Sequence, residues 1–246
     1  MDEHWEIYMK VIDGMIASVQ CNVGLVREED VKVMFPTVGF IKVMLKTPKE
    51  NGLLHDAEQT EIFYLEDKLE SSLIKFRLGK YVGRIISQGS VTFIFYLQFT
   101  YNWEDFLSYA LEEFESYEII HGFQSDNEWN YYHRLLYPTI YEWQIIHNHK
   151  VCDMLQTNKD DLKIPRMIEH SFYAIKNANS VLLKQELIKD GFTLHEESKN
   201  SENKIIFYRK DIPFYYDIDE LTLDLIKLGE KYGFVYDGWE TSVVKS

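Results

Sequence analysis

The chain has 246 residues, enough for one large domain or two small ones. Its 46% hydrophobic and 15% aromatic content excludes a disordered or collagen-like chain. Forty Asp and Glu against 26 Lys and Arg give a net charge of −14, which argues against a nucleic-acid or anionic-membrane binder driven by bulk charge. Neither nucleic acid nor membrane is expected as a direct partner.

The amino-terminal stretch Met1-Asp2-Glu3-His4-Trp5-Glu6 is acidic and lacks the basic, apolar and small-residue parts of a secretory signal, so no export is expected. Asp13-Gly14 between two runs of β-formers, Glu6 to Ile12 and Met15 to Val23, predicts a β-hairpin. Val38 to Leu45 alternates as a half-buried strand. Ile62, Leu65, Leu69, Leu73 and Phe76 recur at threes and fours, predicting an amphipathic helix over 57–77. Tyr81 to Ser87 and Ser90 to Phe99 read as a second hairpin. The latter holds the longest apolar stretch, Val91 to Phe99, about half a bilayer crossing, so no membrane-spanning helix is expected. Asn102 caps a helix with Trp103, Phe106, Leu107, Ala110, Leu111 and Phe114 inward, and Tyr117 to Phe123 returns as a strand.

Residues 38–123 therefore run strand, helix, strand, strand, helix, strand, the split βαβ or ferredoxin-like order. That order recurs in Ser171 to Ile175, Ala178 to Lys189, Phe192 to Glu196, Lys204 to Arg209, a helix marked by Leu221, Leu225 and Leu228, and a strand from Phe234. The expected fold is α+β, with two tandem ferredoxin-like domains, the first preceded by a β-hairpin and followed by a linking helix at Ile140, Trp143, His147, Val151 and Met154. The boundary is placed near residue 160, giving domains 1–160 and 163–246. The aromatic band Trp129, Tyr131, Tyr132, Tyr137, Tyr141 and Trp143 is expected to cover the seam between them. Residues 163–246 hold 12 basic and 14 acidic residues, a net of −2, so −12 falls on the first part.

No catalytic, metal or cofactor constellation stands out. His147 and His149 diverge on a helix, and His121, His133 and His170 lie in predicted strands without partners at ligand spacing. Cys21 and Cys152 form no CxxC pair and read as reduced cytoplasmic thiols, with Cys21 a small buried residue. There is no G-x-S-x-G elbow. Gly79-Lys80-Tyr81-Val82-Gly83-Arg84 lacks the phosphate-loop pattern, and its glycines read as turn residues. Phe93, Phe95 and Phe99 fall on one side of a strand, as base-stacking aromatics would. That strand lacks the basic residue and glycine of an RNA-recognition motif, so they read as core.

Two stretches carry resemblances. Tyr236-Asp237-Gly238-Trp239, after Glu230-Lys231-Tyr232-Gly233 and a Leu-rich helix with Asp217, Asp219, Glu220 and Asp224, resembles the regulator of ribonuclease E activity B family over about residues 168–246. Trp5, Ala17-Ser18, Tyr81-Val82-Gly83-Arg84, Trp129 with Tyr131-Tyr132, Leu136-Tyr137-Pro138 and Pro165-Arg166 leading to His170 resemble the domain-of-unknown-function family 695. The first resemblance implies a non-catalytic protein that binds an RNA-degrading endonuclease and inhibits or redirects it; the second implies no known activity. The expected partner is a basic protein, an RNA-processing endonuclease by the resemblance, met through Tyr236, Asp237, Gly238 and Trp239. The alternative is an enzyme or small-molecule binder with Arg84, His133 and His170 at a cleft between the domains.

Overall fold

The computed structural model describes residues 4–27, 29–175 and 177–245; the first three residues of the acidic amino-terminal stretch lie outside them. The chain is mixed α+β with two antiparallel sheets, and its compact units divide at Pro138/Thr139.

The first unit opens with β1 (Trp5–Ile12) and β2 (Met15–Asn22), joined by Asp13 and Gly14 at φ of 51° and 78°. Two successive left-handed residues form the tight turn that Asp-Gly favours. There follow α1 (Glu29–Met34), β3 (Thr37–Met44), α2 (Asp56–Phe76), β4 (Gly79–Ser87), β5 (Ser90–Leu97), α3 (Trp103–Ala110) and β6 (Ile119–Ser125). The sheet order is β1-β2-β4-β5-β3-β6. α2 lays Ile62, Leu65, Leu69 and Leu73 on Ile41, Val43, Phe93 and Phe95 of the sheet, and α3 adds Trp103 and Phe106. Phe93 and Phe95 are thus sealed in the core, whereas Phe99 lies beyond the end of β5 and is 45% exposed.

The opposite face is covered in part by the segment that carries the π-helical turn Tyr132–Leu136. Trp129 stacks on Tyr96 at 3.9 Å, and Asp126 accepts hydrogen bonds from the Tyr96 hydroxyl (2.5 Å) and the Tyr131 amide (2.9 Å). Tyr132 donates to the Asn22 carbonyl (2.8 Å). Trp129 and Tyr132 therefore belong to the core of the first unit, not to a seam. A free apolar sheet face next to them gave these rings a place to bury.

Gly79 and Gly83 also differ from the expectation, since both lie within β4 and not in turns. A Cβ on Gly79 would sit 2.0 Å from the Tyr96 carbonyl oxygen, and one on Gly83, at φ +153° beside a β-bulge, 2.2 Å from that of Gln20. Close backbone approach requires glycine at both.

The second unit comprises α4 (Ile140–Thr157), β7 (Arg166–Ala174), α5 (Ser180–Lys189), β8 (Thr193–Leu194), α6 (Glu196–Lys199), β9 (Lys204–Asp211), α7 (Tyr215–Tyr232) and β10 (Phe234–Thr241). Its sheet order is β10-β7-β9-β8. The stretch between β8 and β9 starts with the short α6. Gly233, at φ +77°, ends α7, and Phe172, Phe207, Leu183, Leu187 and Leu225 fill the core.

The division at Pro138/Thr139 replaces the boundary expected near residue 160. α4 is no linker: it starts at a capping box made by Thr139 and Glu142 and packs on α7. Moving residues 139–162, with two lysines and four acids, leaves the first unit at −10 and the second at −4. The buried face of α4 is Ile146, Asn148, Cys152 and Leu155, while Ile140 and Met154 of the expected stripe are 55% and 60% exposed. Among the described residues no helix is long and apolar enough to cross a membrane.

Candidate functional site

In β10, Asp237 is an extra residue: Tyr236 faces Phe172 of β7 and Gly238 faces Ser171, the next residue in register. A β-bulge of this kind reverses the in–out alternation that follows it. Gly238 takes φ +112°, and Trp239 turns inward where unbroken alternation would turn it out. The motif thus splits. Tyr236 and Trp239 point into the unit, and Asp237 remains exposed, accepting a hydrogen bond from the Ser171 hydroxyl at 3.3 Å.

Tyr236 is buried with its hydroxyl 2.7 Å from Nδ1 of His170. His170 is 1% exposed, stacks on Phe207 and meets Phe192 edge-on, and its Nε2 has no hydrogen-bond partner. Burial first, and the Arg209 charge second, pull its pKa down to about 3, so the ring is neutral at pH 7. Burial likewise holds the Tyr236 hydroxyl protonated by raising its pKa.

Trp239 donates its indole N–H to Asn148 Oδ1 at 2.8 Å. Asn148 is wholly buried and is the hub between α4, α7 and β10. Its Oδ1 also accepts from Gln144 Nε2, and its Nδ2 donates to Asp219 Oδ1 and Thr222 Oγ1, each at 2.8 Å. His149 Nε2 lies 2.8 Å from Asp219 Oδ2. Asn148 belongs to no sequence motif. Its signal is the spacing Asn148, Cys152, Leu155, a competing inward stripe on α4.

On the open face of this sheet a depression of about 260 Å³ is lined by Glu169, Ser171, Lys204, Asp237 and Glu240. Three carboxylates thus surround one lysine. Asp217, Glu220 and Asp224, one helical face of α7, line a second depression of about 510 Å³. Arg209, at its edge, is already committed to Asp211 at 2.9 and 3.0 Å and to the Asp190 carbonyl at 2.9 Å.

The residues of the alternative reading do not share one site within the first unit. Arg84 lies on the helix-covered face of β4, ion-paired with Glu66 of α2 and 4.6 Å from the Phe63 ring, and Glu66 also accepts from the Tyr81 hydroxyl at 2.6 Å. Burial lowers the Arg84 pKa to about 10. His133 sits in the π-helical turn on the opposite face, not on a strand. Its pKa is lowered by burial and by Lys32, against Asp126. His170 is in the second unit. Buried Cys21 is free, and burial raises its thiol to about 12 despite Tyr132 and Lys10, so it is no ready nucleophile. Among the described residues no group of three or more His, Cys, Asp or Glu is placed to hold a metal ion.

A family model for a family of unknown function, DUF695, matches residues 3–137, more than half of the chain and almost all of the first unit. The chain belongs to DUF695. A second family model, Regulator of ribonuclease activity B, matches residues 145–241, within the second unit. In this DUF695 protein the carboxyl-terminal unit therefore resembles a regulator of ribonuclease activity, and the division of the compact units falls in the gap between the two matches. No curated protein matches the chain.

Proposed function

We propose that this protein is a non-catalytic, cytoplasmic regulator that binds an RNA-degrading endonuclease through its second unit. The observation that carries the reading is the match of residues 145–241 to Regulator of ribonuclease activity B. We also read both units as ferredoxin-like. The strand orders β4-β5-β3-β6 and β10-β7-β9-β8 support this, each the 2-3-1-4 arrangement of a β-α-β-β-α-β succession read from one edge.

The exposed chemistry favours a basic partner segment. Glu169, Asp237 and Glu240 outnumber Lys204 in the depression on the open sheet face, and Asp217, Glu220 and Asp224 of α7, the last paired with Lys227, outnumber Lys210 in the second. Because Tyr236 and Trp239 are engaged inside, Asp237 and Gly238 are the part of the motif left for contact. Arg84, His133 and His170 are read as structural groups. The −10 of the first unit adds long-range attraction to a basic partner.

The test is binding of the full chain to the RNA-degrading endonuclease purified from the same cells, with RNA cleavage followed in parallel. Retention at low salt, loss at high salt, and slowed or redirected cleavage are expected. Asp237→Lys with Glu240→Lys should weaken retention while the fold stays intact. A chain that is not retained at low salt and leaves cleavage unchanged would overturn the proposal.

A further inference from the structure

The π-helical segment covers only part of the first sheet's face opposite α2 and α3. Beside it a groove of about 350 Å³ crosses β3, β5 and β4. Its volume falls in the range of small-molecule sites, roughly 300–1,000 Å³. Phe40, Ile85 and Ile94 form the floor, and Tyr131 and Leu135 form one wall.

The polar groups of this lining are unevenly committed. Ser87 Oγ donates to the Ile16 carbonyl (2.8 Å) and Ser90 Oγ to the Ser87 carbonyl (3.0 Å). Lys42 and Thr92, directly opposite each other in the β3–β5 register, are not engaged in this way. Lys46 and Lys49, farther along the chain, pair with Glu61 and Asp56; among the described residues Lys42 pairs with no carboxylate and the Thr92 hydroxyl makes no hydrogen bond. Lys42 is only partly exposed. Asp13, the one acid of the lining, is exposed on the hairpin turn, where its charge is screened by solvent.

We propose that this groove binds a small amphipathic carboxylate, with its apolar body on Phe40, Ile85 and Ile94 and its carboxylate on Lys42 and Thr92. Two uncommitted donors side by side select an acceptor, and the ammonium selects a charged one. The apolar floor, wide enough for a body of several carbons, gains from being covered. The site lies in the first unit and is independent of the endonuclease reading.

The full chain is titrated with octanoate, octanol and octylamine, with calorimetry for affinity and methyl spectra of Ile85, Ile94 and Leu135 for location. Octanoate should shift those methyls and bind about tenfold more tightly than octanol, with octylamine weakest. Lys42→Gln removes a partly exposed side chain that holds no partner, and should bring octanoate down to the octanol affinity. Octanoate binding no tighter than octanol, shifts confined to other methyls, or unchanged octanoate affinity in Lys42→Gln would each overturn the proposal. The comparison of the three ligands on the unaltered chain decides the matter even if the variant folds poorly.

Discussion

Acid should weaken the second unit through His170. Burial among Phe192, Phe207 and Tyr236 holds its pKa near 3 in the folded unit, whereas an unfolded histidine titrates near 6.5. A group whose folded pKa is depressed contributes stability that is complete above the unfolded pKa and is lost as pH falls below it. Between pH 7.5 and 5.0 the unfolded chain takes up a proton that the folded unit refuses. The loss is about 1.5 pH units at 1.36 kcal/mol each, or about 2 kcal/mol. It continues to grow down to about pH 3. With a urea slope of about 1–2 kcal/mol/M for a unit of this size, the midpoint should fall by roughly 1–2 M. The comparison chain is His170→Phe with Tyr236→Phe, which removes both partners of the 2.7 Å contact and leaves no buried hydroxyl unpaired. Urea unfolding of the full chain at both pH values, with the second unit followed by pulse proteolysis and its protected fragment identified by mass, measures the difference. If the unaltered chain and the double variant lose stability equally on acidification, to within about 0.5 kcal/mol, burial does not hold His170 neutral and the reasoning fails.

Asn148→Leu should strand the Trp239 indole N–H and remove the bond to Asp219, while the Thr222 hydroxyl keeps its bond to the Ile218 carbonyl, costing about 2–3 kcal/mol and lowering the second unit's Tm by about 8 °C or more in calorimetry, with the first unit's transition unmoved. Glu66→Gln leaves the Arg84 guanidinium buried without its counter-ion and should destabilise the first unit by about 3–5 kcal/mol in urea, while Arg84→Met with Glu66→Leu and Tyr81→Phe, which leaves no buried hydroxyl unpaired, recovers most of the loss. Gly83→Ala drives a methyl against the Gln20 carbonyl and should cost more than about 2 kcal/mol, whereas Gly14→Ala meets open space and is strained only through its positive φ. Equal effects of the two alanines on unfolding midpoints would contradict that account.

Much of the element order was readable locally. The Asp13-Gly14 turn, the Ile62 to Phe76 stripe and the Leu221, Leu225 and Leu228 spacing are short-range signals, and each falls within the element expected of it. The candidate motif was legible as a string but not as a geometry. Tyr236, Asp237, Gly238 and Trp239 read as neighbours, and only the bulge separates two inward side chains from the exposed Asp237. The aromatic band was legible as a dense cluster, yet which face would bury it was not. Trp129 needed Tyr96, 33 residues away in sequence, as a stacking surface.

Periodicity, turn chemistry and counting suffice for the α+β class, the order of the strands and longer helices and the net acidity, while α1, α6 and the π-helical turn carry no such local signal. The tertiary structure alone decided which stripe of α4 turns inward, that α4 belongs to the second unit, and that the −14 divides as −10 and −4. It also decided that Arg84 and His133 lie on opposite faces of one sheet. The physical reason is common to all of these: a mixed helix or a strand has two faces, and which one loses its water depends on partners that arrive from distant parts of the chain.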